Sequence, residues 1–337
     1  MPSPAAHRLR RFAPLFVLLL PLTRAAGQPT PVPDSALFRR VSELVAADSA
    51  FSGVVALGRN GRVVHLATAG RIRPAGKAPD AETPFNIGSI TKAFTGIVVQ
   101  QLATEQGWSL DATLASVWPD YPNAAVASAV TIRQILTHRA GITGNIFAPG
   151  ADGTRRGVRG NADVFARIVR EPLAFAPGSQ EDYSNAGYVV LGALIEQRTR
   201  RSYYDVLSER IYRPAGMTQS GHYMLDSLPP AAAEGLTRSG GTRQSNAGTL
   251  PGRGTAAGGS YASALDLLRF VQALRERRLP QGPPPGLGIA GGSPGVNAIL
   301  EGALPGGLDL VVLANVDPPA AERIARAVRA MLGVADD

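Results

Sequence analysis

The sequence predicts an α+β fold, in which strands from both ends of the chain form one antiparallel sheet with flanking helices and a helical insert. Three observations support this fold. Apolar runs flank Asn60-Gly61, the strongest short signal for a β-hairpin. Another apolar run covers 308–314, and the residues from about 100 to 275 have mostly helical periodicity or loop composition. We therefore expect a site between the sheet and the insert.

The elements near the two ends of the chain follow from local patterns. A helix is expected over about 36–47, followed by the hairpin strands 52–59 and 62–67. A last helix is expected over 318–332, because its apolar residues recur on one side. These elements supply the strands and the flanking helices of the predicted sheet.

Lys92 is the first candidate functional residue. The chain has 34 basic residues, of which only Lys77 and Lys92 are lysines. A buried lysine can lose its proton and act as a general base, whereas an arginine keeps its charge. Ser89 lies three residues earlier, at the start of a stripe of apolar residues with helical spacing that ends at Gly107. The Ser89 hydroxyl and the Lys92 amine therefore lie on the same face of the predicted helix. Ser89 is therefore predicted to be a nucleophile activated by Lys92. The alternative is a helix cap beside a solvated lysine, as expected for the exposed Lys77.

Tyr183 and Asn185 form the second candidate motif. They are separated by one residue in a segment that follows a Pro-Gly turn and precedes the apolar helical run 189–195. In extended backbone, both side chains project to the same side. Tyr183 would relay a proton and Asn185 would hold an amide or orient Lys92. The alternative is a packed tyrosine followed by an asparagine that caps the helix.

Together, about ninety residues apart, these motifs resemble the serine beta-lactamase and penicillin-binding-protein superfamily. The most similar branch is class C-like and includes D-aminopeptidases, D,D-peptidases and esterases. The resemblance runs from about Ser35 to the C-terminus. Further similar stretches are 83–89, 131–142, 175–178 and 257–267.

The resemblance implies one beta-lactamase-related domain over 35–337. Its sheet-containing part would comprise about 35–98 and 260–337, and its helical part about 99–259. It also implies a small-molecule or peptide substrate and no metal or organic cofactor. The sequence indicates no oligomeric state.

The resemblance further implies hydrolysis through an acyl-enzyme on Ser89. The N–H groups of Ser89 and Gly292 would form the oxyanion hole, with Gly291 in the same third motif. The substrate would be an ester, a D-amino-acid peptide or a beta-lactam, so esterase or D,D-peptidase-like activity is expected.

The third motif departs from the family pattern. Relatives carry His-x-Gly or Lys-Thr-Gly, whereas this chain has Ile289 in place of the polar residue and keeps Gly291 and the following turn. The missing group normally helps to anchor a substrate carboxylate. A Gly-rich loop, 238–259, is expected to border the cleft. As an alternative to the missing group, Arg243 or Arg253 of this loop would supply the positive charge that His or Lys provides in relatives. The alternative function is a catalytically degenerate homologue that binds cell-wall fragments or a protein partner.

Residues 1–27 are expected to form a secretory signal peptide. A basic start is followed by an apolar core, 12–22, too short to span a bilayer, and by small residues at 25–27. The mature protein would be periplasmic or secreted, with no transmembrane span. An uncleaved anchor is the alternative.

Composition excludes several other functions. Without the four arginines of the leader, the net charge falls from +8 to +4, and the remaining arginines are scattered, so nucleic-acid binding is not expected. The chain has no cysteine, which removes disulfides and thiolate metal sites. Its four histidines lack metal-ligand spacing. His138 is expected to order a helix C-terminus.

Overall fold

The computed structural model describes residues 34–150, 152–239, 241–283 and 286–335, so the expected signal peptide lies outside the described residues. Within them, no helix combines the length and the apolar character needed to cross a membrane.

The helices are α1 (Asp34–Ala47), α2 (Thr91–Gln106), α3 (Leu114–Val117), α4 (Ala124–Ala129), α5 (Ile132–Leu136), α6 (Asn161–Ile168), α7 (Asn185–Thr199), α8 (Tyr203–Leu207), α9 (Arg213–Ala215), α10 (Ala264–Arg275) and α11 (Ala320–Met331). The strands are β1 (Gly53–Arg59), β2 (Arg62–Ala69), β3 (Phe85–Asn86), β4 (Leu236–Ser239), β5 (Thr242–Ser245), β6 (Tyr261–Ala262), β7 (Gly288–Ser293), β8 (Val296–Leu304) and β9 (Leu308–Ala314).

A five-stranded antiparallel sheet, in the order β2-β1-β9-β8-β7, confirms the predicted α+β fold. The predicted hairpin is β1 and β2. Its turn residues Asn60 and Gly61 both have positive φ, 51° and 71°, because such a turn matches the twist of the two strands. β1 also pairs with β9, with Val55 opposite Val312. The two ends of the chain therefore meet in the middle of the sheet.

Side chains of β1 alternate between two hydrophobic cores. Val54 and Ala56 pack in the core that contains residues of α2 and α10. Val55 and Leu57 pack in the core that contains residues of α1 and α11. Because both faces of the strand are covered, its sequence is a continuous apolar run rather than an alternating one. The sheet thus holds α2 against one face, and α2 carries the first candidate motif.

The expected Gly-rich loop over 238–259 is only partly a loop. β4 and β5 form a hairpin, with Ser239 opposite Thr242. Gly241 follows β4 with a φ of 85°, a conformation that glycine adopts readily, so part of the Gly-rich composition serves a hairpin turn. The later part of the segment, including Leu250 and Gly258, lines the cleft as expected.

Candidate active site

Ser89 and Lys92 lie where a 3₁₀ turn leads into a long helix. The turn covers Gly88–Ile90, and α2 follows directly and ends before Gly107, whose φ of 71° is left-handed. Lys92 Nζ lies 3.1 Å from Ser89 Oγ. The hydroxyl and the amine predicted to act together are therefore in hydrogen-bonding contact.

The partners of Lys92 decide which hydrogen bonds a neutral amine makes there. Besides Ser89, Nζ contacts Asn185 Oδ1 at 2.8 Å and the carbonyl oxygen of Ala257. Both of these oxygens can only accept, so a neutral amine donates its two hydrogens to them. The amine lone pair is then left for the Ser89 hydroxyl, which donates. This is the arrangement of a base positioned to remove the serine proton.

Burial favours the neutral form of Lys92. The side chain is 2% exposed, and burial lowers its pKa well below the ordinary value for lysine. Nζ lies 4.8 Å from the ring centroid of Tyr183 and 5.5 Å from that of Tyr188, so aromatic rings take the place of water. Lys77, as predicted, is a surface charge and pairs with Asp80 at 2.8 Å.

Tyr183 is the second hydrogen-bond partner of the serine. Its hydroxyl donates to Ser89 Oγ at 2.7 Å. Burial raises the pKa of Tyr183 to about 12, although the hydrogen bond to Ser89 acts in the opposite direction. The phenol is therefore protonated at neutral pH. It is suited to donate a proton near Ser89 and poorly suited to be the base, which leaves the basic role to Lys92.

Asn185 is the first residue of α7, and its side chain turns to Lys92 rather than to the helix end. Ser184 is the helix cap, because its Oγ accepts from the N–H of Gly187 at 2.9 Å. The alternative in which Asn185 caps the helix is therefore wrong. With the cap supplied by its neighbour, the amide of Asn185 is left to accept from Lys92.

His138, which the sequence predicts only to order a helix C-terminus, also contributes to the site. Its carbonyl oxygen accepts from Asp182 N at 2.9 Å, and its Nδ1 accepts from Ser184 N at 3.1 Å. These bonds hold the residues on either side of Tyr183, whose ring centroid lies 4.6 Å from the imidazole. Burial lowers the pKa of His138 to about 4, so the neutral ring keeps an accepting nitrogen. His138 therefore positions the loop that carries Tyr183.

A second unpredicted contributor is the backbone around Ala257. Two threonines one turn apart on α2 hold this segment beside Lys92. Thr95 Oγ1 donates to Ala256 O at 2.8 Å, and Thr91 Oγ1 lies 2.6 Å from Ser260 Oγ. The family resemblance of 257–267 and the spacing of the threonines around Lys92 are signals in the sequence for this segment, but neither identifies the carbonyl group, which every residue has.

The edge strand β7 borders the cleft, the cavity that Ser89 and Gly292 line together. A Cβ on Gly291 would lie 2.1 Å from Ile87 O and 2.8 Å from Ser89 N. Likewise, a Cβ on Gly88 would lie 3.0 Å from Gly292 N. Only glycines allow this approach of the strand and the 3₁₀ turn. The N–H groups of Ser89 and Gly292 consequently lie on adjoining segments, as an oxyanion hole requires.

Ile289 does not occupy the cleft. It is 4% exposed and packs in the hydrophobic core on the α2 side of the sheet. The alternative in which an arginine replaces the missing cation is not realised, because both candidates have other partners. Arg243 donates to Ala50 O at 2.7 Å, and the guanidinium of Arg253 lies 3.5 Å from the ring centroid of Tyr204. Within the described part of the chain, the side chains that line the cleft are all uncharged.

The chain is similar in sequence to known proteins. Residues 37–313 match the Beta-lactamase family. Penicillin-binding protein 4 of Amycolatopsis lactamdurans is 32% identical over 166 residues, which are 48% of this chain and 42% of that protein. Esterase EstB of Burkholderia gladioli is 29% identical over 261 residues, 66% of this chain and 65% of the esterase. The chain thus spans about half the length of the curated relatives it matches.

The fold is also similar to a solved structure. The penicillin binding protein from Bacillus halodurans superposes with a TM-score of 0.76 at 24% identity, over 87% of this chain and 99% of that one. At this identity the likeness concerns the fold alone.

Proposed function

Since the chain belongs to the Beta-lactamase family, we propose that it is a serine hydrolase that works through an acyl-enzyme on Ser89. The observation that carries the proposal is the buried Lys92, whose two acceptor-only partners leave its lone pair for the serine hydroxyl. A solvated lysine beside a capping serine would have no reason to make these contacts. The substrates proposed are an ester, a D-amino-acid peptide or a beta-lactam.

The proposed reaction begins when Ser89 Oγ attacks the substrate carbonyl carbon and its proton passes to Lys92 Nζ. The oxyanion that forms accepts from the N–H groups of Ser89 and Gly292. Tyr183, which donates to Ser89 Oγ, gives its proton to the leaving group as the tetrahedral intermediate collapses. Lys92 then gives the proton that it took from Ser89 to Tyr183. Asn185 keeps the amine oriented. Water then attacks the acyl group, its proton passes back through the same residues, and Ser89 is regenerated.

Covalent labelling tests the proposal directly. A fluorophosphonate and a labelled penicillin are incubated with the purified protein, and the adduct is located by peptide mass spectrometry. We expect an adduct on Ser89 with at least the fluorophosphonate, and none in Ser89→Ala. An unlabelled Ser89 with both probes would favour the alternative of a degenerate homologue that binds cell-wall fragments or a protein. The feature that favours this alternative is Ile289, which stands in place of the polar residue of the third motif.

We also predict that small activated esters are turned over better than beta-lactams. A beta-lactam brings a carboxylate, and leaving such a group unpaired costs about 1 to 3 kcal/mol, which corresponds to roughly tens- to hundreds-fold in specificity. An ester without an anion avoids this cost. The measurement is kcat/KM for p-nitrophenyl acetate and for nitrocefin.

The matched variant is Ser293→Lys, because Ser293 lines the cleft whereas Ile289 is buried. A cation there is expected to raise nitrocefin turnover relative to ester turnover by about tenfold. Nitrocefin turnover equal to that of the ester in the unmodified protein would contradict the prediction, as would an unchanged ratio in the variant.

We further propose that the protein is exported, with cleavage between about Ala25 and Gln28. The basic start, the short apolar core and the small residues of the leader support this proposal. N-terminal sequencing of exported protein is the check. An intact Met1 on membrane-bound material would count against it.

A further inference from the structure

Part of the cleft wall is formed by apolar side chains from loops that are distant in sequence. Ile146 and Phe147 belong to the loop between α5 and α6. Leu225 lies between α9 and β4, and Leu250 with Pro251 follows β5. These side chains line the same cavity as Ser89, and the proton transfers proposed above use none of them.

Phe147 combines an exposed side chain with a backbone that is held by hydrogen bonds. It is 38% exposed, and among the large apolar side chains that the structure describes only Val64, at 39%, is also exposed. The backbone around it is nevertheless anchored. Phe147 N donates to Asn145 Oδ1 at 3.0 Å, and Arg167 Nη1 donates to Ala148 O at 2.8 Å. The Phe147 ring shares the cavity lining with Ile146, Leu225 and Leu250, so it belongs to an apolar surface rather than standing alone.

Hydrogen bonds also anchor the other loops. Leu225 N donates to Gly252 O at 2.8 Å, which joins the segments that carry Leu225 and Leu250. Arg155 Nη1 donates to Thr249 O at 2.7 Å. The apolar wall is therefore preformed, as expected of a small-molecule site.

We propose that Ile146, Phe147, Leu225 and Leu250 form a subsite for an uncharged, apolar acyl chain of the substrate. This inference, here called the acyl subsite, rests on the proposed function, because the chain would belong to the group that acylates Ser89. The apolar walls favour methylene groups. The cleft offers a chain-end carboxylate no positively charged partner, since its described lining residues carry no charge.

Three p-nitrophenyl esters test the acyl subsite. These are the acetate, the hexanoate, and the hydrogen adipate, which has the length of the hexanoate and ends in a carboxylate. Each methylene transferred from water to an apolar site contributes roughly fourfold when fully buried. We therefore expect kcat/KM for the hexanoate to exceed that for the acetate by about tenfold or more, and the adipate to lose most of this gain.

Variants at the two exposed apolar residues provide the matched comparison. Phe147→Ser is expected to reduce the ratio of hexanoate to acetate turnover by about fivefold to tenfold, and Phe147→Leu to retain most of it. Val64→Ser, on β2 and outside the cleft lining, should leave the ratio unchanged. Thermal unfolding of each variant checks its fold. A ratio that falls equally in the Val64 variant, or not at all in Phe147→Ser, would overturn the subsite.

Labelling of Ser89 separates failure of the subsite from failure of the proposed function. Equal kcat/KM for hexanoate and acetate in a protein whose Ser89 is labelled would overturn the acyl subsite alone. If Ser89 remains unlabelled, the acyl subsite is tested by measuring the binding of hexanamide and acetamide to Ser89→Ala with ligand-observed NMR. Tighter binding of hexanamide that Phe147→Ser weakens supports the subsite, and equal binding of the two amides overturns it.

Discussion

Ser89→Ala is expected to lower kcat/KM for an activated ester by a thousandfold or more, and Lys92→Arg to lower it nearly as much. The alanine variant has no oxygen to acylate. The arginine variant carries a permanent positive charge, because a guanidinium does not give up its proton, so the Ser89 hydroxyl loses the lone pair that accepts its hydrogen. Steady-state kinetics and loss of fluorophosphonate labelling measure both effects.

Lys77→Arg is the matched control, because Lys77 is exposed and pairs only with a surface carboxylate in the described structure. It should retain full activity. Thermal unfolding must show that Lys92→Arg is folded, since Lys92 is 2% exposed and the guanidinium is larger. A folded Lys92→Arg protein with substantial activity would contradict the assignment of Lys92 as the base.

The pH dependence of kcat/KM in the unmodified protein is expected to follow the protonation of the Lys92 amine. Burial lowers the pKa of Lys92, and the neutral amine is the active form, so kcat/KM is expected to fall as the pH falls through this lowered pKa. The acid limb of the pH profile should therefore lie below the ordinary pKa of lysine. An activity that rises only near the ordinary pKa of lysine would show that the amine is not desolvated during catalysis.

Gly291→Ala is expected to reduce kcat by about a hundredfold, the effect of losing an oxyanion donor. The new Cβ would lie 2.1 Å from Ile87 O and 2.8 Å from Ser89 N, and neither backbone atom can move without displacing β7 or the turn that carries the nucleophile. Moving β7 would separate the N–H groups of Ser89 and Gly292. The measurement is kcat for an activated ester.

Gly288→Ala is the control on the same strand. Gly288 is exposed, and a Cβ there would meet nothing within 4 Å, so activity and stability should be unchanged. If Gly291→Ala were folded and as active as Gly288→Ala, the close approach of β7 to Ser89 would not be required for catalysis.

The sequence alone determined the architecture and the central pair of residues. The hairpin at Asn60-Gly61 and the strand 308–314 were predicted because turn chemistry and apolar runs act locally. Ser89 and Lys92 were found for a similar reason, since a separation of three residues on a helix places two side chains together whatever the rest of the chain does. Tyr183 and Asn185 needed the family resemblance, because no local rule relates a loop to a helix ninety residues away.

Only the tertiary structure decided the environment of these groups. The Ala257 carbonyl orients Lys92, yet a carbonyl has no side-chain identity that a sequence pattern can detect. His138 positions Tyr183 through bonds to residues more than forty positions away in the chain. Ile289 is directed into the core by the alternation of β7, so the position that breaks the family motif does not reach the cleft. The apolar wall around Phe147 combines three loops, and which loops meet depends on long-range packing, a property of the folded chain that local spacing does not encode.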